Sequence, residues 1–313
     1  MFEVRKYDIA DRQEWDSFIG KSKNGTFLFK RGYMEYHNDR FEDCSLLVYD
    51  NKKLRAVLPA NVKDNILQSH GGLTYGGLIS DGCMTTEAAM EMFSEINKYL
   101  LEQGIEKVIY KPTPWIYHTL PAEEDLYAII QVCSAKLVSR EISSTVYLPN
   151  RPKFSQLRRR CVNKARRNGI IVRESNDIAT FWNILNANLE DRYGVSPVHT
   201  EKELSLLISR FPDSIKLFMA YDGEEALGGT LVFVMNGIVH TQYIAASPKG
   251  KTVGALDIVF DELINKDFSN YRFLDFGKST EQHGTWLNKN LIHQKEGFGG
   301  RGICYDVYEW NVK

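Results

Sequence analysis

The sequence lacks a surplus of charge of either sign, because 39 basic side chains are balanced by 40 acidic ones among 313 residues. This balance argues against a protein whose whole surface binds nucleic acid, while it is compatible with a local basic patch. The sequence also lacks any apolar run near the roughly 18 residues that a membrane-spanning helix needs. Its first residues, MFEVRKYDIADRQEW, contain no apolar segment of the kind that a signal peptide requires. We therefore expect a soluble, cytoplasmic protein with no membrane span.

Cysteine is scarce, and its pattern argues against two kinds of site. The five cysteines are scattered, and none belongs to a CxxC pair or to a Cys/His cluster with the spacing of metal ligands. Scattered cysteines in odd number are typical of reduced cytosolic thiols. Since none lies in a recognisable catalytic context, we expect neither a bound metal nor a covalent cysteine intermediate. They are Cys44, Cys83, Cys133, Cys161 and Cys304.

The first half of the chain contains a clear order of strands and helices. Two β-rich runs surround Asp50-Asn51, which predicts a hairpin. The segment TTEAAMEMFSEINKYLLEQG has a threonine cap, apolar residues at helical spacing and a glycine at its end, Gly104, so it predicts a helix. A buried-type strand, EKVIYK, follows it. A short helix near residues 123–130 and two strands, AKLVSRE and SSTVYLP, complete this half.

The second half repeats this order. Three predicted strands are joined by turns at Asp222-Gly223 and Asn236-Gly237. An amphipathic helix, VGALDIVFDELINKDF, then precedes a strand, YRFLDFG, a short helix over residues 286–296 and a final strand, GICYDVYEWNV. Helices are predicted ahead of the strands as well, most clearly over residues 177–191 and 200–210. A repeat of about 150 residues indicates a duplicated domain.

A strongly basic segment lies between the two halves. NRPKFSQLRRRCVNKARRNG holds eight basic residues and no acidic one between Arg151 and Arg167. We predict a helix over residues 151–168 and place the domain boundary in front of it. The predicted domains are therefore residues 1–150 and residues 151–313.

Several segments resemble a known family. LRRRCVNKARRNGIIV is similar to the basic helix and strand that open the second domain of the Fem-type and BioF-like acyltransferases. FLDFG and QKEGFGG resemble the D-F-G and F-K-x-x-F-G pair of that family, with Gln294 in place of the phenylalanine before Lys295. LPANV lies where the first domain of the family often has a Leu-Pro pair. The resemblance covers nearly the whole chain, and it implies an α+β fold of two tandem GNAT-like domains, each a mixed central sheet flanked by helices.

The resemblance also implies a reaction, in which an acyl or aminoacyl group moves from acyl-CoA or aminoacyl-tRNA to an amine or a hydroxyl. Such a transfer needs a grip on the phosphates of the donor, stabilisation of a tetrahedral oxyanion and a base for the proton of the acceptor. In GNAT enzymes the phosphates bind backbone N–H groups at the start of a helix. The corresponding loop here is SPKGKTVGALD, although the usual spacing of arginine or glutamine and glycines is absent.

The donor-binding candidates lie in this loop and on the strand before it. They are Lys249, Gly250, Lys251, Gly254 and the strand residue Gln242. The two glycines permit close approach of a backbone, and the two lysines supply positive charge. A plain basic loop with no ligand is the alternative.

Four candidate catalytic residues follow from the same reasoning. His240 is a base candidate near neutral pH, and Asp275 ends a buried-type strand, where ligands often bind in α/β sheets. Glu281 lies on the next loop, and Lys295 continues the apolar line of Leu287 and Leu291 along the predicted helix over 286–296. A lysine ammonium there would stabilise the oxyanion. The alternatives are a satisfied, half-buried histidine and a lysine that extends towards solvent.

The substrate-binding candidates are more dispersed. Arg158 and Arg159 of the basic segment are candidates for an anionic ligand such as a CoA phosphate, a nucleotide-linked sugar or tRNA. Tyr243 lies on the same strand as His240, and Tyr75 and Trp115 belong to glycine-rich and proline-rich segments of the first half. A solvated linker helix and ordinary loop packing are the respective alternatives.

The sequence thus predicts a cytoplasmic acyltransferase. The expected donor is acetyl-CoA, and the expected acceptor is an amine or hydroxyl of a small molecule or of a cell-envelope sugar precursor. One alternative is an aminoacyl-tRNA-dependent, Fem-like ligase that acts on a peptidoglycan precursor, which the basic segment favours. Another is a non-catalytic binding module on the same scaffold, which the altered donor loop favours.

Overall fold

The structure, a computed structural model, describes residues 2–193 and 197–313, without the side chains of residues 191–193. The chain forms two compact units, each with its own hydrophobic core. Unit 1 consists of Met1–Glu141, Gln282–Trp286 and Cys304–Lys313, and unit 2 consists of Ile142–Glu281 and Leu287–Ile303. The division into domains 1–150 and 151–313 stays a prediction, and two short C-terminal segments belong to the first compact unit.

Unit 1 is built from short strands and four α-helices. The helices are α1 (Arg12–Ile19), α2 (Arg31–Met34), α3 (Thr86–Glu102) and α4 (Glu124–Cys133). The strands are β1 (Phe2–Lys6), β2 (Glu42–Asp43), β3 (Leu46–Asp50), β4 (Lys53–Leu58), β5 (Asn61–Lys63), β6 (Ile66–Gln68), β7 (Ile79–Ser80) and β8 (Lys107–Tyr110). Three strands have residues in both units. They are β9 (Lys136–Tyr147), β16 (Trp286–Leu287) and β17 (Arg301–Asn311).

The strands of unit 1 form two sets. β1, β3, β4 and β7 follow one another with antiparallel pairing. β2, β5, β6, β8 and the C-terminal part of β17 form the other set, in which β6 and β8 are parallel and the other pairs are antiparallel. Helix α3 begins where the Thr85 hydroxyl accepts a hydrogen bond from the Ala88 N–H, and it covers the core with Phe93 and Ile96.

Unit 2 contains a longer sheet and six α-helices among the described residues. The helices are α5 (Gln156–Arg167), α6 (Ile178–Tyr193), α7 (Glu201–Arg210), α8 (Pro248–Val253), α9 (Ala255–Glu262) and α10 (Lys289–Glu296). Helix α9 continues as a π-helical turn over Leu263–Asp267. The strands are β10 (Ile171–Ser175), β11 (Ile215–Asp222), β12 (Glu225–Met235), β13 (Ile238–Ala246) and β14 (Phe273–Lys278), with the short strands β15 (Thr280–Glu281) and β16 (Trp286–Leu287) beyond them.

The sheet of unit 2 has the order β10-β11-β12-β13-β14-β9. Strands β13 and β14 are parallel to each other, and every other pair of adjacent strands in this order is antiparallel. Helix α9 packs on β11, β12 and β13 and buries Val259 and Phe260 in the core, and the π-helical turn adds Leu263. The chain therefore has the mixed α+β architecture that the sequence predicts.

The predicted turns are confirmed. Asn51, Asn236 and Gly237 have positive φ angles, as the tight hairpin turns between β3 and β4 and between β12 and β13 require. Gly223 supplies the same backbone conformation between β11 and β12. Among the described residues, no helix combines the length and apolar character needed to cross a membrane.

Three sequence-based boundaries need correction. AKLVSRE and SSTVYLP form one continuous strand, β9, because no glycine or proline separates them. The basic helix begins at Gln156, where the Ser155 hydroxyl accepts from the Arg158 N–H, and not at Arg151. The helix predicted over residues 286–296 begins at Lys289, because the Asn288 side chain caps it by accepting from the Leu291 N–H. Leu287 consequently lies outside this helix.

Candidate functional site

A cavity of about 260 Å³ lies in unit 2 beside the place where β13 and β14 separate. These strands pair over three residues, ending at His240 and Asp275, and β13 then runs on to Ala246. We call this space the β13 cavity. It is lined by Ile244, Ala245 and Ala246 of β13, Phe276 of β14, Leu291, Gln294 and Lys295 of α10, and Arg158, Asn188 and Phe298. Residues of α8, α9 and the junction between them complete the lining: Gly250, Lys251, Gly254, Ala255, Leu256, Asp257 and Phe260.

The N-terminus of α9 forms one wall of the β13 cavity. Gly254, with φ of +84°, ends α8 and begins α9, and a Cβ atom there would lie 2.8 Å from the Cys161 carbonyl oxygen. Glycine is required at this position for both reasons. The first backbone N–H groups of a helix have no acceptor within the helix and carry partial positive charge. This wall of the cavity therefore favours an anionic group.

The two loop lysines have different positions. Lys251 lines the β13 cavity. Lys249 does not, because its ammonium pairs with the Asp222 carboxylate at 2.8 Å and the Glu225 carboxylate at 2.5 Å on the surface. Of the two lysines, the structure thus places only Lys251 at this cavity, and Lys249 stays a prediction.

Gly250 also lines the cavity, and internal packing requires a glycine at this position. A Cβ atom there would lie 2.1 Å from the Leu227 carbonyl oxygen, so glycine permits the close packing of α8 on β12. Its N–H group donates to the Ser247 hydroxyl at 3.1 Å. The close backbone approach that the sequence predicts is thus made by a neighbouring strand within the protein.

Arg158 and Asp257 form a pair on the cavity wall. Arg158 Nη1 donates to Asp257 Oδ1 at 2.7 Å, and both side chains are largely buried. Burial raises the pKa of the Asp257 carboxyl, and the charge of Arg158 opposes that rise. The pair leaves Lys251 and Lys295 as the cations of the cavity without an acidic partner among the described residues.

Lys295 is a buried ammonium at the end of α10. Its side chain is 5% exposed, and Nζ donates to the Gly277 carbonyl at 2.8 Å and to the Lys278 carbonyl at 2.7 Å. Burial lowers the pKa of Lys295 to about 8, and the nearby Asp275 charge offsets part of this effect. An ammonium has three N–H donors, so one donor is available to a ligand in the cavity.

His240 and Asp275 form a hydrogen-bonded pair. His240 Nδ1 lies 2.9 Å from Asp275 Oδ2, and the carboxylate is fully buried. The hydroxyls of Ser143 and Thr145, on β9, both donate to Asp275 Oδ1, the second at 2.7 Å. When Nδ1 carries the proton shared with Asp275, His240 Nε2 is a proton acceptor. This is the arrangement of an oriented general base.

Gly277 connects this pair to Lys295. Its φ angle is +72°, and a Cβ atom there would lie 3.3 Å from His240 Cε1. Its carbonyl oxygen accepts the hydrogen bond from Lys295. A base candidate and a cation are therefore both adjacent to one backbone residue.

Sequence reasoning named His240 and Asp275 separately and missed Ser143 and Thr145. In the structure Asp275 hydrogen-bonds His240, and Lys295 hydrogen-bonds backbone carbonyls. The contact between His240 and Asp275 could have been predicted only from the parallel pairing of β13 with β14, which places His240 opposite Asp275. Its register decides the contact and cannot be read from either strand alone.

Gln242 and Tyr243 have separate environments on β13. The register of β12 and β13 shifts between Leu231 and Val232, which leaves Gln242 as the extra residue of a β-bulge. A bulged residue has backbone groups outside the ladder, so Gln242 is retained as a candidate to contact a ligand. The Tyr243 hydroxyl lies 2.6 Å from His199 Nδ1, and its ring packs edge-on against Trp182. Burial raises the pKa of Tyr243, and Tyr243 does not line the β13 cavity.

The remaining candidates do not line this cavity either. Glu281 is exposed and accepts from Asn288 Nδ2 at 3.0 Å. Arg159 is exposed on α5. In unit 1, Tyr75 is buried among aromatic rings, 4.7 Å from that of Tyr117, and Trp115 is 47% exposed. The glycine-rich segment around Tyr75 therefore lies where side chains pack inside unit 1.

The parallel pair of unit 1, β6 and β8, is followed by further hydrogen bonds between the two chain segments. Beyond β6 and β8, the Lys111 N–H donates to the Ser69 hydroxyl at 2.7 Å, and the Gly76 N–H donates to the Lys111 carbonyl at 2.7 Å. The Lys111 ammonium also donates to the His70 carbonyl at 2.8 Å. These bonds close the gap between the two chain segments.

Comparisons with known proteins agree with this geometry. Residues 153–284 match the family model described as an acetyltransferase (GNAT) domain, whereas no curated protein matches the sequence.

Solved structures extend the likeness to the whole chain. FemX has a TM-score of 0.69 at 11% identity, over 99% of this chain and 97% of FemX. L-PGS from Bacillus licheniformis has a TM-score of 0.59 at 12% identity, over 97% of this chain and 92% of that one. A conserved protein of unknown function from Bacteroides thetaiotaomicron has a TM-score of 0.58 at 10% identity, over the full length of both chains. At these identities the likeness is one of fold. This chain therefore has a fold like that of FemX, and its residues 153–284 match a GNAT acetyltransferase domain.

Proposed function

We propose that this protein is a cytoplasmic acyltransferase that moves an acyl group from acyl-CoA, with acetyl-CoA as the expected donor. The acceptor is an amine or a hydroxyl of a small molecule or of a cell-envelope sugar precursor. The observation that carries the proposal is the β13 cavity. There a helix N-terminus, the part of β13 that does not pair with β14 and the buried ammonium of Lys295 line one space in unit 2. Lys295 hydrogen-bonds the Gly277 carbonyl, and Gly277 lies beside His240 of the His–Asp pair.

The donor phosphates have complementary groups in this cavity. The first turn of α9 presents backbone N–H groups, and Lys251 adds a positive charge beside them. Arg158 is held on the wall by Asp257, and this ion pair carries no net charge. The acyl-bearing arm of the donor would then run along β13 towards Gln242, where the bulge leaves backbone groups outside the ladder.

The chemistry follows from Lys295 and His240. The lone pair of the acceptor attacks the carbonyl carbon of the thioester, and the remaining N–H donor of Lys295 stabilises the oxyanion that forms. His240 Nε2 accepts the proton that the acceptor loses, while Asp275 holds the ring and stabilises its charged form. The intermediate collapses as the C–S bond breaks, and the proton passes to the leaving thiolate. No covalent enzyme intermediate is needed.

A thermal-shift titration with acetyl-CoA tests donor binding. A ligand that binds only the folded state raises the unfolding midpoint in proportion to ln(1 + [L]/Kd). We expect a saturable rise for the wild type and its loss in a Lys251→Ala, Lys295→Ala double variant. Lys249→Ala is the matched control, because it removes a lysine from the same loop that does not line the cavity.

Turnover is measured in the same proteins by the release of free thiol from acetyl-CoA in the presence of amine acceptors. A midpoint that does not move with millimolar acetyl-CoA would refute the donor assignment. An equal loss of response in the Lys249→Ala control would instead refute the assignment of the cavity.

The second candidate function keeps the fold and changes the donor to aminoacyl-tRNA, with a peptidoglycan precursor as acceptor. The observation in its favour is the set of exposed arginines on α5, which include Arg159, Arg160 and Arg167. A protein that fails to respond to acetyl-CoA but binds charged tRNA with a strong salt dependence would support this function in place of the first.

A further inference from the structure

A second cavity of unit 2 carries an inference beyond the acyl donor. Its volume is about 450 Å³, within the range of small-molecule sites. Its walls are the segment Pro149–Phe154, Arg159 of α5, and Asp261 and Asn265 at the end of α9. None of these residues lines the β13 cavity, so the two spaces are distinct.

The wall of this second cavity is held in one conformation. Pro149 and Pro152 restrict the backbone, and the Leu148 N–H donates to the Arg272 carbonyl at 3.0 Å. The Ser155 N–H donates to the Gly297 carbonyl at 2.8 Å. The Phe154 ring packs edge-on against Phe298 at 5.4 Å. A rigid wall of this kind lowers the entropy cost of binding a ligand.

Positive charge in the second cavity exceeds negative charge. Arg151 is positioned by hydrogen bonds from its guanidinium to the Leu148 carbonyl and to Asn265 Oδ1. Lys153 and Arg159 are exposed, and neither has an acidic partner within residues 2–193 and 197–313. The one carboxylate, Asp261, already accepts from Arg166 and from Asn265.

We propose that the second cavity is a binding site for the phosphate group of a small ligand, separate from the site of the acyl donor. Arginine guanidinium groups bind phosphate in a bidentate manner, and a lysine ammonium adds a point charge. Arg151 is preorganised for this role by its hydrogen bonds. Lys153 and Arg159 line the same cavity and add two positive charges. The phosphate belongs either to a free phosphate or pyrophosphate or to a nucleotide whose ring packs beside Phe154.

Neighbouring arginines provide a matched test. Arg159 lines the second cavity, whereas the adjacent Arg160 is exposed on the same helix and lines neither cavity. Binding of inorganic pyrophosphate is measured by isothermal titration calorimetry at low salt. We expect Lys153→Gln, Arg159→Gln to weaken binding by about tenfold or more, because the double variant removes two positively charged donors from the cavity. Arg160→Gln is expected to change the dissociation constant by less than about twofold.

A Lys251→Gln variant identifies which cavity binds the probe. Pyrophosphate affinity that survives in this variant supports the second cavity. Affinity lost in Lys251→Gln but retained in Lys153→Gln, Arg159→Gln would overturn the proposal, since the probe would then occupy the β13 cavity. An equal loss in Arg160→Gln would also overturn it, because it would indicate diffuse attraction.

The source of the phosphate is decided by comparing pyrophosphate with ADP. Tighter binding of ADP, lost in Lys153→Gln, Arg159→Gln, supports a nucleotide ligand, and equal affinity supports recognition of the phosphate alone. Binding confined to a single-stranded oligoribonucleotide, with no affinity for either small probe, would overturn a small-ligand site.

Discussion

Replacing Lys295 by methionine is expected to abolish acyl transfer and to stabilise the protein at neutral pH. The side chain is buried and its pKa falls from 10.5 to about 8. At 1.36 kcal/mol per pKa unit, the charged form lowers the free energy of unfolding by about 3 kcal/mol at pH 7. The variant loses two hydrogen bonds to the carbonyls of Gly277 and Lys278, which cost about 1 kcal/mol each. The net expectation is a gain of about 1 kcal/mol.

The sign of the pH dependence is the sharper part of this prediction. The folded-state pKa of Lys295 lies below the unfolded value, so the unfolded chain binds more protons between about pH 8 and pH 10.5. The contribution of Lys295 to the free energy of unfolding therefore rises with pH in that window. Below about pH 8 the full cost of burying the charged ammonium remains. By about pH 9.5 roughly 2 kcal/mol of the penalty is relieved. The wild type is then expected to be as stable as Lys295→Met or slightly more stable.

Urea unfolding of the two proteins, followed by tryptophan fluorescence at pH 7 and at about pH 9.5, measures this difference. Taking the difference at each pH cancels the titration of groups common to both proteins. Lys251→Met is the control, because it places the same new side chain at an exposed lysine of the same cavity. A difference between wild type and Lys295→Met that does not change with pH would refute the reasoning, since it would mean that the ammonium is hydrated in the folded state.

Three further predictions follow from the structure. Calorimetric titration with acetyl-CoA is expected to give one site per chain, because hydrogen bonds close the gap beside the parallel strands of unit 1; two sites would contradict this. Asp275→Asn in a His240→Asn background is expected to slow turnover little further, because the two residues act as one unit; multiplied losses would indicate independent roles. Gly254→Ala is expected to lower the free energy of unfolding by about 1–3 kcal/mol. The Gly82→Ala control, with open space around its Cβ position among the described residues, is expected to be nearly neutral, and equal losses would refute the argument from backbone strain.

Much of the fold was predictable because its signals are local. The Asn236-Gly237 turn follows from backbone angles that these two residues adopt readily. Helix α3 follows from the Thr85 cap, the apolar spacing and the glycine that ends it. The order of these elements in the two halves, together with the basic segment, was sufficient to predict a duplicated GNAT-like fold.

Element boundaries were less predictable where a single side chain decides them. Asn288 caps α10 and places Leu287 outside it, although the apolar spacing over 286–296 also fits a longer helix. Strand β9 runs through without a break because no turn residue interrupts it. A side-chain cap therefore set the start of α10, and the lack of a turn residue made β9 one strand.

The sequence by itself determined the strands, the turns, most of the helices and the residue types available for chemistry, because these depend on neighbours within a few positions. The tertiary structure alone decided which of those residues share a site. It paired His240 with Asp275, directed Lys251 into the β13 cavity and Lys249 onto surface carboxylates, and separated Arg158 from Arg159 into two cavities. It also set the pKa of Lys295. The physical reason is that strand register and burial connect residues far apart in the chain, and neither is encoded in any short segment.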